Sequence, residues 1–596
     1  MKKHLLTGLS LLWAMVALAG GTKPVTFTID MTGPSTDTFL IEVLVHKLSE
    51  ENKVFQFAST APGTYQIMDI GRFVSNFKAY DKKGKAIEVK QLSVNQFELA
   101  QPSKVARITY AVAETFDTQV KENMIYRMAG SSLEKDHALI NTHCMLGYFH
   151  GMQEADMLIG LKYPAEWKVG TPLSQDKNGF YMASDFDFAV DSPILLGRLT
   201  EANLDVEGKK IEVYTYSKTD MIKSSDLMGA MKDIFVAANT FVKGFPIDRY
   251  VLLFHFEDQG WGAWEHSYSS EYVLKEEPFT PEKAASVNSI AAHEIFHMVT
   301  PLNIHSEIIE QFNFVTPTPS QHLWLYEGIT EWASDLMQLR AGLTTTEEFL
   351  AQVREKILVD ERFDASYSLV KLALTSYTPE GQRQYSNIYY RGSLVPTLLD
   401  ILLLEKSNGT RGLREVILEL TKKYGPEKAF SEKDFFDEFV AMTYPEVGEF
   451  MDMYVKNANP LPMAEYFAKL GISFHLEKTL DEMVADRGHG LDYNGTNIYV
   501  ANAEKRSIQE GLVLGDIVLK INDIEAIAAN FGKIVPILQG TKNGDTLNYV
   551  VKRGEEEVAL ALSVGEKKKV EKYLFTVDEN PSDAQKALRE AWLKNL

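Results

Sequence analysis

One five-residue run, His293-Glu294-Ile295-Phe296-His297, constrains the fold more than any other feature of the sequence. Positions i and i+4 of an α-helix share one face, so both imidazoles can reach a single Zn²⁺ while Glu294 lies beside the metal-activated water. The flanks favour a helix, because residues 289–292 contain neither Gly nor Pro and Pro301 closes the segment. The run therefore predicts a helix with two metal ligands and a general base. The alternative is two helix histidines that hydrogen-bond to their neighbours.

A zinc hydrolase needs a third protein ligand, usually a carboxylate from a second helix. Glu327 is the preferred candidate, because apolar residues recur around it at helical spacing: Leu325, Ile329, Trp332, Leu336 and Leu339. Glu307 and Glu310 also follow His297 and stay open as alternatives, although their surroundings are less apolar. Glu331 lies one turn beyond Glu327. It is predicted either to accept a proton from a ligating imidazole or to be an exposed helix carboxylate.

Upstream of the helix, a glycine-containing loop presents a carboxylate at the end of a predicted strand. The strand covers residues 250–256, and the loop contains Gly262 and Glu265. A carboxylate close to the zinc would pair with the protonated α-amine of a substrate and so admit only chain ends. We therefore predict that Glu265 and Gly262 bind substrate; the alternative is a loop carboxylate with a purely structural role.

Downstream, the run Tyr389-Tyr390-Arg391-Gly392 offers a phenol and a guanidinium. A phenol placed near the metal could donate a hydrogen bond to the oxyanion that forms when water attacks a carbonyl. Either tyrosine can fill this role on sequence grounds, and a buried structural tyrosine is the alternative. Arg391 is a further candidate for substrate binding.

Charge and cysteine content exclude several classes of function. The net charge of −21 repels phosphate backbones, and the sequence has no basic aromatic patch, so nucleic acid is not an expected partner. Cys144 is the only cysteine, which excludes intrachain disulfides and a thiolate zinc site.

The first nineteen residues have the pattern of a secretory signal peptide. Residues 1–4 are basic, residues 5–18 are mostly apolar, and Ala17-Leu18-Ala19 ends in small residues. An uncleaved anchor helix is the alternative, but the apolar run is short for a bilayer span. We expect an exported protein, periplasmic or secreted, whose mature chain has no integral membrane segment.

The rest of the chain is too long for one core and predicts a multidomain α+β protein. Short alternating segments predict an N-terminal β-rich domain over residues 23–207, and helical periods dominate a peptidase domain over residues 211–458. Residues 464–566 are similar to a PDZ domain, and residues 567–596 are predicted to be a C-terminal tail, whose part 582–596 is either a charged helix or loose. In the PDZ-like part, Leu470, Gly471 and Ile472 resemble a carboxylate-binding loop, which predicts a peptide C-terminus as a possible partner.

Taken together, these segments resemble the glycyl aminopeptidase family. The resemblance covers residues 25–565 and lies in Gly-x-x-Glu-His, His-Glu-x-x-His, Trp-Leu-x-Glu-Gly, Tyr-x-Arg-Gly and the PDZ-like region. Members are gluzincin metallopeptidases distantly related to aminopeptidase N, which implies a thermolysin-like, mostly α-helical catalytic domain. The resemblance also implies roles for six residues: His293, His297 and Glu327 as zinc ligands, Glu294 as general base, Glu265 as the site of the substrate amine, and Tyr389 as oxyanion donor.

The predicted function is a Zn²⁺-dependent aminopeptidase that uses a metal-activated water to hydrolyse the N-terminal residue of peptides with a free N-terminus. The resemblance implies small residues such as Gly or Ala at that position. One alternative is a zinc endopeptidase that uses the same metal site. Another is a PDZ-mediated binding protein with a structural zinc centre, although a closed structural site needs a fourth protein ligand.

Overall fold

The computed structural model describes residues 23–33 and 37–594 and divides into two compact units. The first unit contains the described residues up to Leu470 together with those from Pro581, and the second is Gly471–Asn580. The predicted signal peptide lies outside the described residues. Within the described ranges, no helix has both the length and the hydropathy that crossing a bilayer requires.

The first unit begins with a β-rich domain, as the alternating sequence pattern predicts. Residues of β1 alternate between buried and half-buried positions, which is the period-two pattern of a sheet with one face on a core. Two short helices, α1 (Thr142–Met145) and α2 (Phe186–Val190), interrupt its strands. The strands are β1 (Val25–Asp30), β2 (Thr38–Leu44), β3 (Val54–Phe57), β4 (Val74–Asp81), β5 (Ala86–Ile87), β6 (Val89–Ser93), β7 (Gln96–Leu99), β8 (Val105–Ala113), β9 (Ser132–Leu133), β10 (His137–Ile140), β11 (Gly147–Phe149), β12 (Met157–Lys162), β13 (Lys168–Gly170), β14 (Ser174–Gln175), β15 (Tyr181–Ala183) and β16 (Ile194–Gly197).

Three sheets make up this domain. The largest has the order β14-β15-β12-β1-β2-β8-β4-β5, in which β1 runs parallel to β12 and antiparallel to β2. Two four-stranded sheets have the orders β13-β16-β10-β9 and β11-β3-β7-β6. Their apolar faces enclose a core rich in aromatic side chains, including Phe27, Phe39, Phe55, Phe57 and Phe149.

A five-stranded sheet follows and leads into the helical part of the unit. Its strands are β17 (Thr200–Val206), β18 (Lys209–Ser217), β19 (Arg249–Glu257), β20 (Ala263–His266) and β21 (Ser269–Lys275), and α3 (Ser224–Phe241) connects β18 to β19. In the order β17-β18-β19-β21-β20, β19 runs parallel to both neighbours and is buried along nearly its whole length. The continuous apolar run of β19 is therefore that of a central strand.

Helices form the rest of the peptidase region, as the helical periodicity predicts. They are α4 (Pro281–Phe296), α5 (Glu307–Glu310), α6 (Ile329–Arg340), α7 (Thr346–Asp360), α8 (Leu369–Leu374), α9 (Pro379–Gln384), α10 (Asn387–Lys406), α11 (Leu413–Lys423), α12 (Phe435–Met442), α13 (Pro445–Met451) and α14 (Met463–Lys469). A π-helical turn, Trp324–Gly328, leads directly into α6. The overall class is thus the predicted α+β, with a β-rich N-terminal domain and a helical region after it.

The second unit is a small β-rich body with its own apolar core. Strands β22 (Ile472–Asp486) and β29 (Gly565–Val577) form an antiparallel ribbon. A sheet of order β23-β24-β25-β27-β28 contains β23 (His489–Tyr493), β24 (Ile498–Ala503), β25 (Ile517–Ile521), β27 (Thr546–Arg553) and β28 (Glu556–Ser563), with β26 (Ile524–Glu525) paired to β25 and helices α15 (Lys505–Gln509) and α16 (Phe531–Gln539).

The residues of the predicted carboxylate-binding loop lie at the start of this ribbon. Leu470 follows the last residue of α14, and Ile472 is the first residue of β22, paired with Val577. The carbonyl of Gly471 accepts a hydrogen bond from the amide of Asp578 at 2.9 Å. A PDZ-like groove with a bound peptide C-terminus stays a prediction.

The C-terminal segment returns to the first unit as α17 (Asp583–Trp592). Its last residue, Trp592, is fully buried and meets the rings of Phe349 and Phe467 edge-on. The carbonyl of Trp592 also accepts a hydrogen bond from Nε of Arg340 at 3.0 Å. Burial of one large aromatic side chain accounts for the ordered helix in this charged segment.

Candidate metal centre and active site

Helix α4 carries the first two predicted metal ligands. Thr280 caps it by accepting a hydrogen bond from the amide of Lys283, and Pro281 occupies its first position, where no amide hydrogen is required. The helix ends at Phe296, so His293 lies in its last turn and His297 directly follows it. The two imidazole rings lie 4.8 Å apart between centroids and are both buried.

The third predicted ligand, Glu327, lies on the π-helical turn and points at both histidines. Its Oε2 is 3.5 Å from Nε2 of His293 and 3.7 Å from Nε2 of His297. Glu327 is buried as well, so all three donor groups meet away from bulk solvent. The alternatives are bonded elsewhere: Glu307 accepts the amide of Glu432 at 2.6 Å, and Glu310 accepts the amide of Ala429 at 3.1 Å.

Two glycines bring the π-helical turn against α10. A Cβ atom on Gly328 would lie 2.5 Å from the carbonyl oxygen of Gly392, and one on Gly392 would lie 3.1 Å from Cα of Gly328. The two backbones can approach this closely only because neither residue has a side chain. The glycines of the Trp-Leu-x-Glu-Gly and Tyr-x-Arg-Gly motifs therefore pack on each other, which places Glu327 next to the helix that carries Tyr389.

Hydrogen bonds orient both imidazoles towards Glu327. Nδ1 of His293 lies 2.8 Å from Oε2 of Glu331, and Nδ1 of His297 lies 2.9 Å from the carbonyl oxygen of Thr300. Both partners are acceptors, so each Nδ1 carries the hydrogen and each Nε2 directs its lone pair at the space beside Glu327. Two imidazoles and one carboxylate with their lone pairs converging are the donor set of a catalytic zinc site, and the residues fit Zn²⁺.

Glu331 is itself held by a buried cation that sequence reasoning missed. Nζ of Lys356 on α7 lies 2.8 Å from Oε1 of Glu331 and 2.5 Å from Oδ2 of Asp335. The sequence had left Glu331 between an orienting role and an exposed position. The structure gives it a half-buried position with bonds to both His293 and Lys356.

Glu294, the predicted base, has no competing partner within the described residues. It is 6% exposed, and its Oε2 makes no hydrogen bond to a described residue. Burial raises the pKa of its carboxyl to about 8, and the negative charge of Glu327 adds to the shift. A desolvated, unbonded carboxylate next to the metal ligands has the proton affinity that general-base work near neutral pH requires.

Glu265 lies on β20 and joins the same cluster. Its carboxylate, the carboxylate of Glu294 and the imidazole of His297 have donor atoms within 4.8 Å of one another. Burial raises the pKa of Glu265, and Glu327 and Glu294 raise it further. Gly63 of the β-rich domain faces this carboxylate: a Cβ atom there would lie 2.6 Å from Oε1 of Glu265, and the backbone has φ of 74°. Glycine is therefore required at this contact.

The other two predicted substrate-binding residues, Gly262 and Arg391, have contacts within the protein, and their substrate binding stays a prediction. The carbonyl of Gly262 accepts the amide of Val273 at 3.0 Å. Nη1 of Arg391 lies 3.3 Å from Oδ2 of Asp360, and its Nη2 donates to the carbonyl of Asn459 at 2.6 Å. These contacts fix the loop before β20 and the start of α10. The guanidinium of Arg391 therefore pairs with Asp360 and leaves Glu265 available.

Tyr389 faces the metal cluster, whereas Tyr390 faces away from it. The ring of Tyr389 lies 5.7 Å from that of His293, and its pKa is raised by burial and by the charge of Glu327. The ring of Tyr390 stacks on Phe363. The structure thus resolves the choice of register that the sequence left open.

Two further tyrosines at the site were not singled out from the sequence. The hydroxyl of Tyr65 lies 3.5 Å from Oε1 of Glu327, and the ring of Tyr385 lies 5.3 Å from Tyr65 and 6.0 Å from Tyr389. Tyr65 belongs to an aromatic and polar segment of the β-rich domain. Aromatic and polar residues in one segment could have indicated a wall of the active-site cleft. Packing in the core explains the same composition equally well, so the sequence did not identify Tyr65.

Comparison with protein families identifies the chain. Residues 26–198 match the model of the peptidase M61 N-terminal domain, and residues 286–395 match the model of the M61 glycyl aminopeptidase. The chain has both the N-terminal domain and the peptidase domain of the M61 family. It is a metallopeptidase of the aminopeptidase type, and the second match contains His293, His297, Glu327 and Tyr389.

One solved structure shares the fold of this chain. An aminopeptidase N family protein from Idiomarina loihiensis is 19% identical, with a TM-score of 0.74 over 96% of this chain and 100% of the other. An M1 zinc metallopeptidase from Deinococcus radiodurans is 11% identical, with a TM-score of 0.46 over 74% of this chain and 95% of the other. A search of curated proteins gave no significant match.

Replacing Glu331 by Gln tests the hydrogen-bonded support of His293. The amide accepts a weaker hydrogen bond from Nδ1 and loses the ion pair with Lys356, so zinc affinity should fall about 10- to 100-fold. Competition with a chelator measures that affinity. Glu307→Gln, which alters a carboxylate outside the cluster, is the control, and equal affinities in the two variants would contradict the role of Glu331.

Proposed function

We propose that this protein is a zinc-dependent aminopeptidase that removes one residue at a time from the N-terminus of peptides. His293, His297 and Glu327 would hold the zinc ion. When bound, zinc supplies a Lewis acid that polarises the scissile carbonyl and acidifies a water molecule to a pKa of about 7. The glycyl aminopeptidase description of the family supports small residues such as Gly or Ala at the substrate N-terminus.

The position of Glu265 carries this proposal. Its carboxylate lies beside Glu294 and His297, within 4.8 Å between donor atoms, so an ammonium bound there is within one residue of the reacting centre. Three carboxylates surround the imidazoles of His293 and His297, whose Nε2 atoms are acceptors: those of Glu265, Glu294 and Glu327. A dication and a substrate ammonium would neutralise this excess of negative charge, whereas an internal segment of peptide brings no such cation.

Glu294 would act as the base and then as the acid. Its unbonded Oε2 accepts a proton from the attacking water and passes it to the nitrogen of the leaving amine. No other protein group in the described part of the chain needs to move for the proton to cross.

Tyr389 would stabilise the charge that develops on the carbonyl oxygen. Its phenol keeps its hydrogen at neutral pH, because burial and the charge of Glu327 raise its pKa. A neutral O–H donor aimed at an oxyanion strengthens as charge develops, so its effect falls on the transition state. Tyr385 would support the ring of Tyr389, which it meets edge-on, and Tyr65 packs on Tyr385.

Two further predictions extend beyond the active site. We propose export of the protein to the periplasm or the medium, because residues 1–19 have the pattern of a signal peptide.

We also propose that the second unit is PDZ-like. The antiparallel order of β23, β24, β25, β27 and β28 with two helices supports this, and an exposed strand edge would be the place for a peptide.

Glu294→Gln should retain zinc and lose at least about a hundredfold in kcat, because an amide cannot accept the proton from water. The kcat of the variant and of the wild type are compared in stopped assays on an alanyl or glycyl anilide. Zinc content is measured on the same samples. Near-native turnover at full zinc occupancy would remove Glu294 from the mechanism.

Tyr389→Phe should lower kcat by about 10²–10³ with little change in KM, because the phenol binds a group present only in the transition state. Tyr390→Phe is the matched control and should leave both constants near native, since its ring packs on Phe363. A larger loss in Tyr385→Phe than in Tyr389→Phe would transfer the role to Tyr385.

Glu265→Gln should lower kcat/KM for peptides with a free N-terminus by about 10- to 100-fold, the value of a charge-assisted hydrogen bond. Acetylated peptides of the same sequence should remain equally poor substrates, so the ratio between the two classes shrinks. An unchanged ratio would contradict the role of Glu265, and efficient internal cleavage of acetylated peptides by the wild type would establish an endopeptidase instead.

A further inference from the structure

A second cluster of two imidazoles and one carboxylate lies in the first unit, on elements other than those of the peptidase cluster. His137 is the first residue of β10, and His255 and Glu257 lie two residues apart on β19, hence on one face of that strand. Both histidines are buried, and the Glu257 side chain is 12% exposed. The donor atoms of all three residues lie within 4.8 Å of one another.

The distances from Glu257 to the two imidazoles suit a metal ion. The two Nε2 atoms are 2.9 Å apart, and Oε1 of Glu257 is 3.3 Å from that of His137 and 3.6 Å from that of His255. Ligands bound tetrahedrally at 2.0–2.2 Å lie about 3.3–3.6 Å apart, so both nitrogen-to-oxygen distances fit, and the two nitrogens would move apart when an ion binds. The peptidase cluster, with the same donor set, has nitrogen-to-oxygen distances of 3.5 and 3.7 Å. The two clusters thus match in composition and nearly in their nitrogen-to-oxygen distances.

The ring of His137 is oriented as a metal ligand is. Its Nδ1 lies 3.0 Å from Oδ1 of Asp136, which is an acceptor, so Nδ1 carries the hydrogen and Nε2 of the neutral ring offers a lone pair. Nε of Arg198 holds the other oxygen of Asp136 at 2.5 Å. Tyr216 stacks on the imidazole at 3.6 Å. A carboxylate behind the ring is the usual support of a ligating histidine.

His255 has few hydrogen-bond partners among the described residues. Its Nδ1 is buried and makes no hydrogen bond to a described residue, and its Nε2 faces Nε2 of His137. One hydrogen at most fits between those two nitrogens, and it leaves Oε1 of Glu257 facing the pair as a further acceptor. A cation at the centre of the three atoms would take a lone pair from each of them, and Nδ1 of His255 would then carry the hydrogen of that ring. The competing arrangement places a proton on His137 at that position.

The open side of the cluster faces a cavity of about 570 Å³, lined by residues that include His137 and Glu257. Five acidic and three basic side chains line it, an excess of negative charge that attracts a divalent cation. One of the basic groups, Lys218, lies 3.1 Å from Oε2 of Glu257 and leaves Oε1 available. Three protein ligands and access to water give the coordination of an open zinc site.

We propose that His137, His255 and Glu257 bind a second Zn²⁺ ion, separate from the ion at the peptidase cluster. The ion joins β10 of the β-rich domain to β19 of the five-stranded sheet, so it stabilises the packing of these two parts of the first unit. This inference stands on its own donor atoms and does not depend on the proposed peptidase mechanism.

The test measures zinc in the full-length protein after dialysis against micromolar ZnCl₂ and then against metal-free buffer. The wild type should hold two zinc ions per chain. A variant with His293→Ala and His297→Ala, which lacks the peptidase ligands, should hold one. Adding His255→Gln or Glu257→Gln to that variant should remove it. Adding Glu134→Gln, which alters an acidic residue of the cavity wall outside the donor set, should leave it.

Thermal unfolding separates loss of the ion from loss of the fold. In the His293→Ala and His297→Ala background, added zinc should raise the Tm, because a ligand that binds only the folded state stabilises it. The rise should vanish with Glu257→Gln and persist with Glu134→Gln. Any of three results would overturn the proposal. The wild type could hold one zinc ion, or the variant without the peptidase ligands could hold none. The zinc retained by that variant could also be insensitive to both His255→Gln and Glu257→Gln.

Discussion

The contact between Gly328 and Gly392 is the constraint on which the active-site geometry depends. A side chain at either position would separate the π-helical turn from α10, because the nearest backbone atoms lie within 2.5–3.1 Å of where the Cβ atoms would be. The turn carries Glu327 and the helix carries Tyr389, so one close approach fixes a metal ligand relative to the oxyanion donor. Irregular π-helical geometry at a functional residue is a common use of such turns.

The charges around each carboxylate of the active site determine what that carboxylate can do. Glu327 and Glu331 hold the imidazole of His293 from two sides, and Lys356 compensates the charge of Glu331. Glu294 and Glu265 form no ion pair with a Lys or Arg in the described part of the chain, and burial together with the charge of Glu327 raises the pKa of each. Carboxylates that are paired serve to orient a ligand, and those left unpaired are available to a proton or to a substrate ammonium.

The same principle applies at the second cluster. Asp136 is paired with Arg198 and orients His137, whereas Oε1 of Glu257 faces two imidazole nitrogens. The histidines reach each other from different parts of the unit, one from a four-stranded sheet of the β-rich domain and one from the central strand β19. The two histidines are 118 residues apart in the sequence, so no short motif contains both of them.

The sequence by itself determined what local periodicity and short-range spacing encode. It predicted the helix of His293 and Glu294, the apolar face that follows Glu327 and the β-rich character of the N-terminal domain, because helical and strand periods depend on neighbours within a few residues. Tertiary structure alone decided which distant groups meet: Tyr65 and Gly63 at the metal cluster, Lys356 behind Glu331, Arg391 with Asp360, and His137 with His255. Such contacts depend on how sheets and helices pack, and nothing in the linear order of side chains records that packing.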